Sequence, residues 1–450
     1  MAVLVQDNVK RTLLRMAFPM LAGTFAMNAY SLTDAWFVSR LGTLPLAAMG
    51  FIFPVVMLLT LVAGGVGTGV TALVSHAIGR HDHDDAVKLV TQGMTLTIGV
   101  TAVISIAGYL CIEPVFAWLG ADASTLPLIA DYMCIWYLGA LTMSLPMLGN
   151  GILISAGDSK GASGFMVAGT VLNALLNPLL IFGYFGLPAM GIRGSALATV
   201  IAQAASTVWL FHLLRSKHRL LAFGDWGLRD YLATFRRILG FGIPGILSMV
   251  LMPISASVIT WILSGFGNEA VAACGAAGRI EMFAFVIPMA LGMSLTPFVS
   301  QNYGANRLDR IREAKTIAAR FALMYGGFVA VAFFLSAPWL ALAFSDDPKV
   351  TVVLVAHVRI ISFGYGMMEV HRYCGFILTG LHKPASSMAL NAIRVLVFLI
   401  PLSFLGAHVG GVRGIFWGRL TTDLIAGSIG FIWVSRACGS IAKRETKEVS

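Results

Sequence analysis

Long apolar runs, separated by short polar or glycine-rich segments, follow one another along the whole chain. Each run has the roughly 20 residues that a helix needs to cross the hydrocarbon core of a bilayer. The regular alternation of membrane barrel strands is not seen. We therefore predict an all-α integral membrane protein with twelve transmembrane helices, near residues 12–39, 45–78, 87–112, 124–147, 160–183, 190–213, 240–264, 270–302, 316–343, 350–372, 384–406 and 411–435.

The two halves of the chain repeat one pattern at an offset of 225 residues, half the chain length. The alignment runs without a gap through the first two spans of each half and drifts by a few residues later. The aligned elements are Pro19 with Pro244, Gly42 with Gly267, VSHAIG (74–79) with VSQNYG (299–304), GDSKGAS (157–163) with GLHKPAS (380–386), and GIRG (191–194) with GVRG (411–414).

This duplication predicts the architecture. Because each half has an even number of spans, both halves enter and leave on the same side, so a pseudo-twofold axis along the membrane normal should relate two homologous six-helix bundles. We expect an N-terminal lobe over 1–213, a basic cytoplasmic linker over 214–238, and a C-terminal lobe with a short basic tail over 239–450. Two such bundles suit alternating access, in which a rocking motion opens a site between them to either side.

Composition and charge favour a membrane protein over a nucleic-acid-binding one. Hydrophobic residues form 58% of the 450 residues and charged residues only 12%, which is outside the range of soluble domains. The net charge of +10 is concentrated in alternate loops and at the termini. The segments expected to be cytoplasmic hold Lys10, Arg11, Arg15, Arg80, Lys88, Lys160, Arg215, Lys217, Arg219, Arg229, Arg236, Arg237, Arg307, Arg310, Arg312, Lys315, Lys383, Arg436, Lys443, Arg444 and Lys447, and the outer loops hold Arg40, Arg193, Lys349 and Arg413.

The positive-inside rule then predicts the orientation. Both termini should be cytoplasmic, in a multi-pass protein of the bacterial inner (plasma) membrane. The basic segments would contact anionic lipid, and no nucleic-acid partner is expected.

Three motifs give the chain a recognisable resemblance. They are the spacing from Pro19 to Asp34 in the first span, LGTLPLAAMG at 41–50, and NALLNPLLIFG at 173–183. In this order, within a duplicated set of spans, they resemble the multidrug and toxic compound extrusion (MATE) transporters over nearly the whole chain. The resemblance implies a monomeric antiporter, not an enzyme, that exports small organic cations or drugs in exchange for H⁺ or Na⁺ and needs no cofactor.

The resemblance also implies a cation-coupling site at Asp34, Asn173 and Asn177. Some members have Asp at the position of Asn177, so this chain has one firm carboxylate there and the choice between H⁺ and Na⁺ stays open. At about 1.5 Å per residue, the three residues lie at a similar depth below the outer surface, and the two Asn share a helix face. The competing interpretation is an Asp34 satisfied by Thr33 or Ser31 as packing.

Few other acids lie within spans. Glu281 could contact a cationic substrate or pair with Arg279 or Arg394, and Glu369 with Arg372, like Arg419 with Asp423, has the spacing of an intrahelical ion pair. The seventh span (241–267) has no acid, so coupling should rest on the N-terminal lobe. Candidates for the substrate cavity are Met27, Tyr30, Phe53, Met57, Glu281, Phe283, Phe285, Met289 and Glu369, although ordinary packing explains any single apolar member as well.

Two stretches imitate other sites. HDHDD (81–85) resembles a metal cluster, but its acids precede a predicted helix, where they favour the helix N-terminus. GGVGTG (64–69) resembles a phosphate loop, but it lies within a span and lacks both a preceding strand and a Lys. Close helix packing or bending is the simpler explanation there.

Two other functions compete with multidrug efflux. A flippase for lipid-linked oligosaccharides of the same superfamily is compatible with the duplication, although such a protein would have a strongly cationic cavity and often additional spans. A membrane-embedded enzyme would need clustered acid, base or metal-binding residues at one membrane face, and the sequence offers no such cluster.

Overall fold

The computed structural model describes residues 3–222 and 224–449, with side chains over 4–222 and 224–442, and its regular structure there is helical. Phe223 and the side chains of Lys443, Arg444 and Lys447 lie outside the described part. The α-helices are α1 (Val9–Ser39), α2 (Thr43–Gly79), α3 (His83–Leu110), α4 (Ile112–Trp118), α5 (Leu126–Ser155), α6 (Ser159–Phe182), α7 (Ile192–His212), α8 (Leu228–Ser264), α9 (Asn268–Gly304), α10 (Leu308–Phe344), α11 (Pro348–Ile361), α12 (Tyr365–Gly380), α13 (Pro384–Ala392) and α14 (Ile400–Val449).

Ten helical segments of the described chain are long and apolar enough to cross a membrane. One of them, Pro384–Ala442, has 59 residues, about twice the length that a crossing needs. Its helical geometry is interrupted at Gly410 and Gly411, and Gly411 has a φ of 57° that suits glycine. With this segment counted as two and with α1 added, the twelve predicted spans are all helical. The short helix α4 was not predicted.

The chain forms two compact units. The first contains Arg15–Ile246, and the second contains Leu4–Leu14 together with the chain from Leu247 onward. The division falls inside α8, because this helix already begins at Leu228. The last part of the expected linker, residues 228–238, is therefore helical rather than a loop. The division into two lobes with a linker at 214–238 stays a prediction.

The glycine-rich stretch 64–69 is the point where α2 meets the first half of α8. A Cβ at Gly65 would collide with Ile246 and would lie 2.9 Å from the Gly242 carbonyl oxygen, and one at Gly69 would lie 2.7 Å from the Ile238 carbonyl oxygen. Glycine lets the two backbones approach closely, as in other membrane helix pairs. The predicted close packing is confirmed.

Each unit has its own apolar core. In the first unit, Ile52, Phe116 and Met133 are buried together. In the second unit, Leu263 and Phe416 are buried with Tyr365. The acidic stretch 81–85 begins α3: the side chain of Asp82 accepts a hydrogen bond from the Asp85 backbone N–H at 3.0 Å, which is an N-cap.

Candidate functional site

A buried polar cluster lies where α1, α6 and α7 pack against one another in the first unit. Asp34 on α1 is 7% exposed, and Asn173 and Asn177 on α6 are fully buried. Asn177 Nδ2 donates to Asp34 Oδ1 at 3.3 Å, and Ser195 Oγ on α7 donates to the same oxygen at 2.7 Å. The three residues expected from the sequence thus lie together, and Ser195 completes the hydrogen bonding of the carboxylate.

The cluster continues away from Asp34 through side chains alone. Asn177 Nδ2 also donates to Asn173 Oδ1 at 3.1 Å, and Asn173 Nδ2 donates to Thr199 Oγ1 at 3.2 Å. The hydroxyl of Tyr30, expected in the substrate cavity, donates to the same Thr199 oxygen at 2.9 Å. A continuous chain of hydrogen bonds therefore joins Tyr30 to Asp34.

The described hydrogen bonds of Asp34 come from Asn177 and Ser195 and not from Thr33 or Ser31. The carboxylate is therefore held between helices rather than by its own helix turn. Ser195 and Thr199 were missed in the sequence, although they lie four residues apart near the start of α7 and so share a helix face. The sequence signal that could have identified them was their position in the span that directly follows α6.

The oxygen atoms that this cluster offers as ligands belong to one carboxylate, two amides and three hydroxyls, those of Ser195, Thr199 and Tyr30. Hard cations prefer such ligands in proteins, and a carboxylate can also bind a proton. Within the described part of the chain, Asn177 Oδ1 is a buried acceptor without a hydrogen-bond partner. A buried amide oxygen of this kind can accept a hydrogen bond from a protonated carboxyl group or coordinate a cation.

The other substrate-cavity candidates are divided by their exposure. Met27, Phe53, Phe283 and Met289 are exposed apolar side chains. Met57 and Phe285 are partly buried, and the Phe285 ring packs at 4.9 Å from the Tyr365 ring. Exposure alone does not assign a ligand to them, so their roles stay predictions.

Glu281, Glu369 and Asp423 in the second unit are each paired with an arginine, and the partners expected for Glu281 and Asp423 are wrong. Glu281 binds Arg419 at 2.8 Å and His357 at 3.1 Å rather than Arg279 or Arg394. Asp423 binds Arg394 at 2.7 Å rather than Arg419. The helix that carries Arg419 and Asp423 is oriented so that each side chain contacts a partner in another span. The pair of Glu369 with Arg372, at 3.1 Å, is confirmed.

These features define the class: a helical integral membrane protein with a duplicated sequence and a buried carboxylate, bound by amides and hydroxyls, inside one bundle. A family model described as MatE matches residues 19–179 and 244–405. The two matched segments begin 225 residues apart, which is the same offset that aligns the two halves of the sequence. The chain belongs to the MatE family and is a transporter rather than an enzyme.

Known relatives cover nearly the whole chain. A protein of Shewanella oneidensis named FAD transporter is 33% identical over 435 residues, covering 97% of this chain and 96% of its own. The multidrug export protein MepA of Staphylococcus haemolyticus is 21% identical and covers 93% of this chain and 92% of its own. The crystal structure of the Vibrio cholerae MATE transporter VcmN in the bent form superposes with a TM-score of 0.91 at 28% identity, covering 96% and 97% of the two chains.

Proposed function

We propose that this transporter is an antiporter that exports a small amphipathic organic compound, driven by H⁺ or Na⁺ entering through a coupling site at Asp34, Asn173 and Asn177. The single observation that supports this most is the buried Asp34 carboxylate with its two hydrogen bonds from other helices. Ionisable groups inside membrane spans are expensive and usually functional.

The coupling step follows from hydrogen-bond chemistry. When Asp34 is ionised, it accepts hydrogen bonds from Asn177 and Ser195. When Asp34 is protonated, its O–H becomes a donor, and the Asn177 amide can rotate so that its unpartnered Oδ1 accepts a hydrogen bond from that O–H. That rotation removes the bond from Asn177 to Asn173, so the change reaches the interior of α6. A bound Na⁺ would attract the same amide oxygens, so it would also rotate the Asn177 amide and break its hydrogen bond to Asn173.

The energy available is sufficient for export. One monovalent cation moving inward supplies ~2.3 kcal/mol per 100 mV of membrane potential. This sustains roughly a 50-fold gradient of an uncharged substrate at one-to-one exchange, since 1.36 kcal/mol corresponds to a factor of ten. Alternating access of the two lobes would use this energy to release substrate outside.

Two substrate classes have support. The family resemblance and relatives such as MepA favour cationic or amphipathic drugs. The relative with 33% identity is named FAD transporter, which favours an anionic flavin dinucleotide as a second candidate. We further propose a monomer in the inner membrane. The distribution of basic residues supports an orientation with both termini cytoplasmic.

The test is transport in proteoliposomes under separately imposed pH and Na⁺ gradients, with ethidium, norfloxacin and FAD as substrates. Wild type should move at least one of them under one gradient, and Asp34→Asn should abolish the gradient-driven part. Asp131→Asn is the matched control, because it makes the same change in a carboxylate that pairs with exposed Arg193. Gradient-driven export by Asp34→Asn would refute the coupling site. Movement of lipid-linked oligosaccharide alone would favour the flippase.

A further inference from the structure

A cavity lies at one end of the second unit, between the turn that joins α12 to α13 and the last part of α14. Its volume is about 670 Å³, which is in the range of small-molecule sites in proteins. Lys383 from the turn and Arg436 from α14 line it, together with Ser386, Trp433 and Ser440. The charge distribution predicts that both basic residues are cytoplasmic, so we expect this cavity at the inner surface of the membrane.

The two cations of this cavity have no carboxylate partner in the described part of the chain. Within residues 4–222 and 224–442, the ion pairs formed by α12 and α14 use other cations, among them Arg394 and Arg419. The described residues that line the cavity include no acid. Two positive charges on the wall of one cavity raise the local potential and attract an anion.

The duplicated sequence explains this lack of an acid. The stretch GDSKGAS (157–163) of the first half aligns with GLHKPAS (380–386) of the second half, which places Asp158 opposite Leu381. In the first unit, the Asp158 carboxylate binds Lys217 Nζ at 2.6 Å. The second unit has an apolar side chain where the first has this acid. Its two cavity cations are therefore left to bind an anion from outside the chain.

The remaining lining of the cavity has the polarity of a phospholipid. Ile429, Ile432, Trp433 and Arg436 all line it, and their spacing puts them on one face of α14. Ile432 is 50% exposed. Arg436 follows Ile429 by seven residues, which is ~10 Å along the helix. Trp433 lies between them, and tryptophan is enriched at the membrane–water interface. An apolar part, an interfacial ring and a cation thus follow one another towards the inner surface.

This combination recognises an anionic headgroup. Arginine binds phosphate through two parallel hydrogen bonds, and lysine binds it as a point charge. Basic pockets between spans on the cytoplasmic side are typical sites for acidic lipids. We propose that the cavity binds the headgroup of an anionic phospholipid of the inner leaflet, such as phosphatidylglycerol, with its phosphate between Lys383 and Arg436. An acyl chain then lies along Ile429 and Ile432. The proposal does not depend on which substrate is transported.

The experiment measures lipid binding to the delipidated full-length protein by native mass spectrometry. Phosphatidylglycerol is compared with phosphatidylethanolamine of the same acyl chains, whose ammonium group neutralises its own phosphate. Wild type should bind phosphatidylglycerol about tenfold more tightly. Lys383→Gln and Arg436→Gln should each weaken this binding about fivefold, and the double variant should weaken it more than either. Arg436→Lys keeps the charge but loses the two-point geometry, so it should fall between wild type and Arg436→Gln.

Lys160→Gln is the matched control. Lys160 is the exposed lysine that aligns with Lys383 in the first half, and it does not line this cavity. This variant should bind phosphatidylglycerol like wild type. Thermal unfolding in detergent gives a second readout: without lipid, all variants should unfold near the wild-type temperature. Added phosphatidylglycerol should stabilise wild type and Lys160→Gln but not the double variant.

Three outcomes would overturn the proposal. Equal binding of phosphatidylglycerol and phosphatidylethanolamine by wild type would show that the cavity does not select an anionic lipid. Unchanged binding in the double variant, or an equal loss in Lys160→Gln, would show that the lipid binds elsewhere or without a specific site. If inorganic phosphate stabilises wild type as much as phosphatidylglycerol does, and the double variant loses both effects, the ligand is a free phosphate ion and not a lipid.

Discussion

Ser195 Oγ donates a hydrogen bond of 2.7 Å to Asp34 Oδ1, which joins α7 to α1 across 161 residues of sequence. The contact is shorter than the 3.3 Å bond from Asn177 to the same oxygen. Short hydrogen bonds from a hydroxyl to a carboxylate are among the stronger ones in proteins. Ser195 is therefore the main support of the ionised form of Asp34 in this cluster.

The first prediction concerns this contact. Ser195→Ala removes a hydrogen bond to a charged group, which is worth about 1.5–3 kcal/mol. We expect gradient-driven export to fall about tenfold, with normal expression, and Ser195→Thr to keep most activity. Ser206→Ala on the same helix is the control, since its hydroxyl bonds to the carbonyl of Ala202. Efflux by Ser195→Ala at the wild-type rate under both gradients would contradict a role for this bond.

The second prediction concerns the partly buried pair of Glu281 and Arg419, whose side chains are 13% and 22% exposed. Glu281→Gln leaves Arg419 without its counter-ion, which costs about 3–5 kcal/mol in a fully buried ion pair and less in this partly exposed one. We expect a clear drop in thermal stability, and a partial recovery in the double variant Glu281→Gln, Arg419→Gln. The control is Glu269→Gln on the same helix, because the Glu269–Lys349 contact is 3.6 Å and exposed. Equal stability of Glu281→Gln and Glu269→Gln would show that the pair contributes little.

The third prediction concerns Asp158, which precedes α6 and caps it. Its carboxylate accepts hydrogen bonds from the Gly161 backbone N–H, Lys217 and His218 at 3.0, 2.6 and 2.9 Å. The hydrogen bond with His218 lowers the pKa of Asp158 most; Lys217 and Gly161 also lower it, against the opposing effect of burial. Because the pKa of the folded state is depressed, the stabilisation is complete above the ordinary Asp pKa of about 3.9 and is lost as the pH falls below it.

Thermal unfolding in detergent between pH 7 and pH 3 measures this effect. Wild type should lose stability as the pH falls below about 4. Asp158→Asn should be less stable than wild type at pH 7, and the difference should shrink at pH 3. The control is Asp84→Asn, an exposed acid in the first turn of α3. A constant difference between wild type and Asp158→Asn across this range would rule out the electrostatic explanation.

The fourth prediction concerns the helix contact at Gly65. Gly65→Ala places a Cβ against Ile246 and the Gly242 carbonyl oxygen of α8. Overpacking of this kind costs about 1–3 kcal/mol, so we expect lower yield and a lower unfolding temperature. Gly50→Ala on the same helix meets no atom within 4 Å, and it should be neutral or slightly stabilising because Ala favours helix. Similar behaviour of the two variants would mean that α8 does not pack on α2 this closely in the membrane.

The sequence by itself determined the membrane class, the twelve spans and the duplication. Runs of apolar residues predict spans because the bilayer imposes length and hydrophobicity on each helix separately. The resemblance to MATE transporters implied the set of Asp34, Asn173 and Asn177, and counting residues along the helices supported it, because the count places all three at a similar depth.

The tertiary structure decided which helices face one another. Ser195 became a partner of Asp34 because α7 packs beside both α1 and α6, and no spacing within one helix contains that information. Pairing charged residues three or four positions apart on one helix was correct for Glu369 with Arg372. The same rule failed for Arg419 and Asp423. Each of those two finds its partner on another helix, and rotation about the helix axis, which only packing fixes, selects that partner.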